Sequence, residues 1–212
     1  MDALDQYILN HIDPEDALLQ ELDRETHLRM IQPRMISGHL QGRLLEMIVR
    51  MIGARRVLEI GTFTGYSAIC MARGLEAGGE VHTFEIDDEL EELAAGYFRR
   101  AEQEMPGRII QHIGSALDGA PKLGLTFDLI FIDGDKREYP DYYRMAMDSL
   151  THSGSYLLAD NILWYGKVVQ ETPANDRFSK AIKEFNEMVK ADPRVENVIL
   201  PIRDGLNLIR VK

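Results

Sequence analysis

Two short runs of oxygen-bearing residues close two apolar stretches of this chain. Asp133-Gly134-Asp135-Lys136 follows residues 127–132, and Asp160-Asn161 follows residues 155–159. Both stretches read as buried strands, and if they are neighbours, Asp133, Asp160 and Asn161 converge on one point. Two carboxylates and an amide, with water or substrate oxygens completing an octahedron, suit a hard cation such as Mg²⁺ and leave positions open for chelation. Lys136, one helical step past Asp133, could stand beside that cation as a fixed charge or act as a base. Taken singly, each residue reads sooner as a helix cap, a turn or a surface charge. Their shared address at strand ends favours chemistry.

A second constellation occupies residues 57–67. Val57, Leu58 and Ile60 form the apolar run of a strand, Gly61 and Gly65 allow a tight turn, and a helix follows with Thr64 or Ser67 near its start. Gly-x-x-x-Gly lacks the middle glycine that lets backbone approach a pyrophosphate, so a nucleoside-type ligand without phosphate fits better. Residues 80–85 read as the next strand, with Glu85 at its C-terminal end, where an acid can accept both hydroxyls of a ribose. The alternatives are plain turn glycines, and a Glu85 that opens the acidic first turn of a helix. Residues 109–113 give a third strand running into Gly114-Ser115-Ala116, small enough to lie flat beside an adenine ring or to be only a tight loop.

The elements that must position these residues alternate between helical and extended, an α/β pattern in which parallel strands are joined by helices and ligands gather beyond the strands' carboxyl ends. Residues 2–30 read as one or two polar helices. Residues 39–52 carry Leu40, Leu44, Leu45, Met47, Ile48 and Met51 at helical spacing, a face for the sheet or another subunit. Residues 90–105 read as a helix, acidic in its first turn, with Arg99 and Arg100 late, as the helix dipole favours. Residues 195–200 and 206–211 read as a hairpin about Asp204-Gly205. The length of 212 residues suits one domain, 1–212, with residues 1–52 as accessory, lid or dimer elements.

A net charge of −11 disfavours general attraction to nucleic-acid phosphates or anionic membranes. No apolar run approaches a membrane span, and Asp2, Asp5, Asp13, Glu15 and Asp16 are too acidic a start for a signal peptide, so the expectation is cytoplasmic. The lone cysteine, Cys70, excludes an internal disulfide and reads as a buried core thiol.

The ordered set LEIGTFTGYS, FEID, FDLIFIDGDKREYPDYY, LLADNILWYGKV and LPIRDGLNLIR resembles the cation-dependent O-methyltransferases of the catechol and caffeoyl-CoA type. The resemblance covers most of the chain from Met35 onward. It implies a class I S-adenosylmethionine-dependent fold: a Rossmann-like, doubly wound, seven-stranded and mostly parallel sheet whose last strand is antiparallel. It further implies that Gly61 and Ser67 hold the methionine part of the donor, that Glu85 holds the ribose, and that Ser115 and Ala116 border the adenine. Met35 and Ser37 would close over the donor, Glu59 would line its pocket, and Asp135 would make a weaker contact. Asp133, Asp160 and Asn161 match the ligands of Mg²⁺ or another divalent cation, Asp133 also lies near the donor's amino group, and Lys136 matches the catalytic lysine. The family's habit of forming dimers implies a homodimer.

The acceptor is the open question at this stage. Trp164 and Tyr165 are candidates for an aromatic wall against a flat substrate, though a lone tryptophan serves equally as a core or interface anchor. Arg203 stands in a turn where the family often has a small residue. The reading favoured is methyl transfer to a vicinal-dihydroxy aromatic small molecule, and the alternative is the bacterial branch that methylates 5-hydroxyuridine in tRNA. For that branch Arg29, Arg34, Arg43, Arg50, Arg55 and Arg56 are the nearest thing to a basic patch. A non-catalytic nucleoside-binding protein, and a dinucleotide oxidoreductase lacking its middle glycine, are the readings from other classes.

Overall fold

Strands in this chain are short apolar runs that end on polar residues, and the order in which they pair decides which ends meet. The computed structural model describes residues 3–212; Asp2, counted above among the N-terminal acids and at the start of a helix, lies outside them. The strands are β1 (Arg56–Ile60), β2 (Glu80–Glu85), β3 (Arg108–Ile113), β4 (Leu129–Ile132), β5 (Tyr156–Asp160), β6 (Val195–Leu200) and β7 (Leu206–Val211). They form one sheet in the order β3-β2-β1-β4-β5-β7-β6, with β1 to β5 mutually parallel and β7 antiparallel to both β5 and β6. This is the doubly wound, mostly parallel sheet that the sequence implies. The order reverses between β1 and β4, the switch point where open α/β sheets leave a crevice.

The helices are α1 (Ala3–Asn10), α2 (Ala17–Arg29), α3 (Gly38–Ile52), α4 (Tyr66–Gly74), α5 (Glu91–Ala101), the single turn α6 (Ala116–Gly119), α7 (Tyr139–Met145) and α8 (Arg177–Ala191). One face of the sheet is sealed by Leu45 and Val49 of α3, Ile69 of α4 and Phe98 of α5. The other is sealed by Tyr139 and Tyr143 of α7 and Phe185 of α8. The central strands are therefore apolar on both faces: Leu129, Ile130, Phe131 and Ile132 of β4 are all fully buried.

Local chemistry sets the boundaries. The carboxylate of Asp16 accepts the N–H groups of Leu18 and Leu19 at 3.0 and 3.1 Å and caps α2, while Asp176 accepts from Ser179 at 3.0 Å and caps α8. Pairing of β4 begins at Leu129 rather than at residue 127; Asp128 just before it accepts the N–H groups of Arg55 and Arg56 through its carboxylate at 2.8 and 2.9 Å, while its own N–H donates to the Arg56 carbonyl at 2.8 Å. Helix α5 stops at Ala101, four residues short of the expected end, with Met105 facing the helix-breaking Pro106. Its acidic first turn and basic last turn are as expected. Cys70 is buried in α4, and burial raises its thiol pKa.

The N-terminal helices differ from one another. Helix α1 buries no residue, whereas α2 sinks Leu19 and Leu22 into the core. It also ties itself to α4 and α5 through Arg73 with Asp16, and through Arg100 with Glu21 at 2.7 Å. Among the described residues no helix is long and apolar enough to cross a membrane.

Candidate functional site

The site lies along the carboxyl ends of β3, β2, β1, β4 and β5. At the end of β1 the chain turns at Gly61, where φ is 103°, and a Cβ there would stand 2.5 Å from the carbonyl oxygen of Asp133. Only glycine lets the β1 turn lie this close to the end of β4. Gly65, also left-handed, then launches α4 without any side-chain cap, so Ser67 sits inside the first turn rather than capping it, and Thr64 is buried beneath. Met35, Ser37, Gly61, Ser67 and Asp133 line one narrow cavity together with Thr62 and Phe63. Five residues singled out from sequence are thereby brought together.

Glu59 lies within the sheet, fully buried. One carboxylate oxygen accepts the hydroxyl of Thr83, while Oε1 lacks a partner in hydrogen-bonding geometry. Burial pushes its pKa up to about 8; the Ser67 and Thr83 hydroxyls temper the rise, and the charges of Asp133 and Glu85 add to it. An unpartnered buried acid oxygen at the base of a crevice is a group that a cationic or hydrogen-donating ligand would satisfy. Glu85, also buried, accepts the N–H of Phe63 at 2.7 Å through Oε2 and that of Asp87 at 3.0 Å through Oε1. It therefore ends β2 rather than opening the next helix. The Gly114 N–H donates to the Glu85 carbonyl at 2.7 Å, which brings the turn carrying Ser115 and Ala116 alongside it.

At the other side of the switch point, Ile132 pairs with Ala159, so Asp133 and Asp160 follow at matched positions on adjacent strands. Lys136, buried, donates to Asp133 Oδ1 at 2.7 Å and to the hydroxyl of Tyr139 at 2.8 Å. The Tyr139 hydroxyl in turn directs its proton to the carbonyls of Ile132 and Asp160 at 3.0 and 2.8 Å. Burial pushes the Asp133 carboxyl up to about 6, the Lys136 cation opposing this and the Asp160 carboxylate reinforcing it. Asp160, 2 % exposed, accepts its neighbour's N–H from Asn161 through Oδ1 and the amide of Gln41 through Oδ2, both at 2.7 Å. Asn161 itself is held at φ 58°.

A buried carboxylate on Asp160 and a partly buried one on Asp133 that repel one another, with an amide beside them in a sharp turn, form a hard-oxygen donor set that fits a divalent cation. Asp204 adds to the local negative charge: its Oδ2 is buried without a partner, and burial raises its pKa, with Asp160 contributing. The capping role lies elsewhere than Asp133. Asp135 caps the turn after β4, accepting the N–H of Arg137 at 2.9 Å and pairing with its guanidinium.

Trp164 and Tyr165, both at positive φ, follow the Asp160-Asn161 turn, and Asp204 pins them by accepting the Tyr165 N–H at 2.7 Å. The Trp164 ring stacks on Phe178 at 5.7 Å, and Tyr165 is 79 % exposed. The arginines of the possible basic patch are in part already engaged: Arg29 pairs with Glu25 at 2.6 Å, and Arg43 and Arg50 both hold Glu46 at 2.9 and 2.8 Å. Sequence reasoning did not find Gln41, Tyr139 or Thr83, and it noted Arg203 only as a departure. A polar Gln41 within the apolar periodicity of α3 was the available signal for one of them.

The strand order, the reversed last strand and the crevice at the β1–β4 switch define a class I methyltransferase fold. The solved O-methyltransferase of Bacillus cereus in complex with SAH superposes with a TM-score of 0.89 at 33% identity, over 99% of this chain and 97% of that one. A family described as O-methyltransferase matches residues 10–212. The catechol O-methyltransferase of Niastella koreensis is 32% identical over 100% of this chain and 97% of its own length. Caffeoyl-CoA O-methyltransferase 2 of Populus trichocarpa is 30% identical over 99% of this chain and 88% of its own length. The chain belongs to the O-methyltransferase family, in its catechol and caffeoyl-CoA group, and is an S-adenosylmethionine-dependent enzyme.

Proposed function

We propose that the protein transfers a methyl group from S-adenosylmethionine to one oxygen of a vicinal-dihydroxy aromatic small molecule, with a divalent cation such as Mg²⁺ held by Asp133, Asp160 and Asn161. The observation that carries this reading is the matched placement of Asp133 and Asp160 on adjacent strand ends, with Lys136 bonded to Asp133. The strand order supports the donor assignment. Ser115 and Ala116 after β3 would border adenine, Glu85 on β2 would take the ribose, and Gly61 after β1 with Ser67 would hold the methionine part. Met35 and Ser37 would close over the donor, Glu59 would lie beneath it, and Asp133 would stand near its amino group; Asp135, turned to Arg137, supports the weaker contact least.

The donor supplies an electrophilic methyl on a sulfonium, and a bound cation supplies Lewis acidity that favours the ionised form of a phenol whose pKa is otherwise about 10. The chain's own residues do the rest. Lys136, as a cation, would stabilise the ionised phenol oxygen, or would take its proton once deprotonated, and the Tyr139 hydroxyl fixes its Nζ. The buried floor of Thr62, Glu59 and Thr83 excludes water beneath the donor cavity. Trp164 and Tyr165, which follow the Asp160-Asn161 turn, would supply a wall for a flat acceptor. Pairing of Arg29, Arg43 and Arg50 with acids offsets half of the candidate basic patch, and with the net charge of −11 this favours the small-molecule reading over the tRNA one.

The test is labelled-methyl transfer from S-adenosylmethionine to caffeate, caffeoyl-CoA and a tRNA carrying 5-hydroxyuridine, each with Mg²⁺ and with chelator. Chelator-sensitive transfer to either caffeoyl acceptor supports the proposal. Transfer to tRNA alone replaces it.

A further inference from the structure

Arg203, in the turn between β6 and β7, sits at φ 51°, a left-handed conformation that favours glycine. Strain of this kind persists where surrounding contacts over-determine it. Here the guanidinium reaches across to the segment preceding α3. Its Nη2 donates to the Ile36 carbonyl at 3.1 Å, and its Nη1 donates to Gln41 Oε1 at 2.8 Å and to the Ser37 carbonyl. Gln41 is fully buried, and its amide nitrogen donates onward to Asp160 Oδ2 at 2.7 Å. The two ends of one buried amide thus join Arg203 to Asp160, 162 and 119 residues away in sequence from Gln41.

Met35 and Ser37, which line the cavity after β1, belong to the same fastened segment. We propose that Arg203 is a positioning residue: it holds residues 35–41 down over the donor cavity and, through Gln41, fixes the side-chain orientation of Asp160. The proposal rests on reading that cavity as the donor site. A planar guanidinium can serve three acceptors in one fork, which a lysine ammonium does not reproduce. With residues 35–41 held in this way, donor leaves slowly, and Asp160 presents the same oxygen whether or not donor is bound.

The experiment measures S-adenosylhomocysteine binding by calorimetry and its dissociation by stopped flow, in chelator so that no metal contributes. The proteins are wild type, Arg203→Gly, Arg203→Lys, Gln41→Met and the Arg203→Gly/Gln41→Met double variant. Arg203→Gly is expected to bind about tenfold more weakly, chiefly through faster dissociation, and its thermal midpoint sets the relief of a φ that glycine accepts against the loss of the guanidinium's hydrogen bonds. Arg203→Lys should be nearly as weak. The double variant should be no weaker than Arg203→Gly alone, because both changes cut one chain of contacts. Gln41→Met, which leaves the turn's backbone untouched, carries the same test if Arg203→Gly folds poorly. Affinity of Arg203→Gly and Gln41→Met within about twofold of wild type, full recovery with lysine, or losses that multiply in the double variant would each overturn the proposal. Wild-type protein that fails to bind S-adenosylhomocysteine would remove the donor-site reading itself and this proposal with it.

Discussion

Replacing Glu59 with glutamine should abolish a large pH dependence of stability. Glu59 is fully buried and held near a pKa of about 8, against an ordinary value of 4.5, chiefly by burial. A carboxyl whose folded pKa is raised binds its proton more tightly in the folded chain, so stability falls as pH rises from the unfolded value and levels off above the folded one. Linkage over that interval makes the loss at most about 4 kcal/mol between about pH 5 and about pH 9, most of it below pH 8. Glutamine keeps an acceptor for the Thr83 hydroxyl and carries no charge, so Glu59→Gln should lack this loss. The assay is urea unfolding of both proteins across that pH range, and the quantity is the difference between them, from which titrating groups that do not interact with Glu59 cancel. The variant should gain on wild type steadily as pH rises. Parallel curves would show that Glu59 ionises normally and would refute the claim that burial dominates its environment.

Three further outcomes follow from the site. Asp160→Ala should lower Mg²⁺-dependent turnover by at least about a hundredfold; a variant that folds, by circular dichroism, and keeps full, chelator-insensitive activity contradicts the metal assignment. Lys136→Ala should reduce kcat by about a hundredfold while leaving S-adenosylhomocysteine affinity close to wild type in calorimetry, since the lysine touches the cavity only through Asp133 and does not itself line it. Glu85→Gln keeps an acceptor for the Phe63 N–H but loses the charge, and should weaken S-adenosylhomocysteine binding by about tenfold; an unchanged Kd takes Glu85 out of the ribose position.

Much of the architecture is legible in the sequence because its strands are bounded by chemistry that acts locally. The limits of β2, β6 and β7 agree with the alternation and turn signals, and the glycine loop, the Asp133 run and the Asp160-Asn161 pair all fall at strand ends as read. Boundaries are less legible: ladder pairing of β4 starts at Leu129 rather than at residue 127, and α5 ends at Ala101, with Pro106 barring its extension through Met105. Asp135, which the resemblance implies as a weaker donor contact, is paired with Arg137 two residues on. Gln41, Tyr139 and Arg203 acquire their roles only from contacts between residues far apart in the chain, which spacing along a single sequence does not encode.

The central claim is that Asp133, Asp160 and Asn161 form a cation site in an O-methyltransferase of the catechol and caffeoyl-CoA group. Crystals grown with S-adenosylhomocysteine and soaked in Mn²⁺ as a stand-in for Mg²⁺, measured for anomalous scattering, test it most directly. The account predicts one strong peak at the ends of β4 and β5, within coordination distance of all three side chains and lost in Asp160→Ala. A fully occupied donor cavity with no peak there, or a peak bound by other residues, would contradict it.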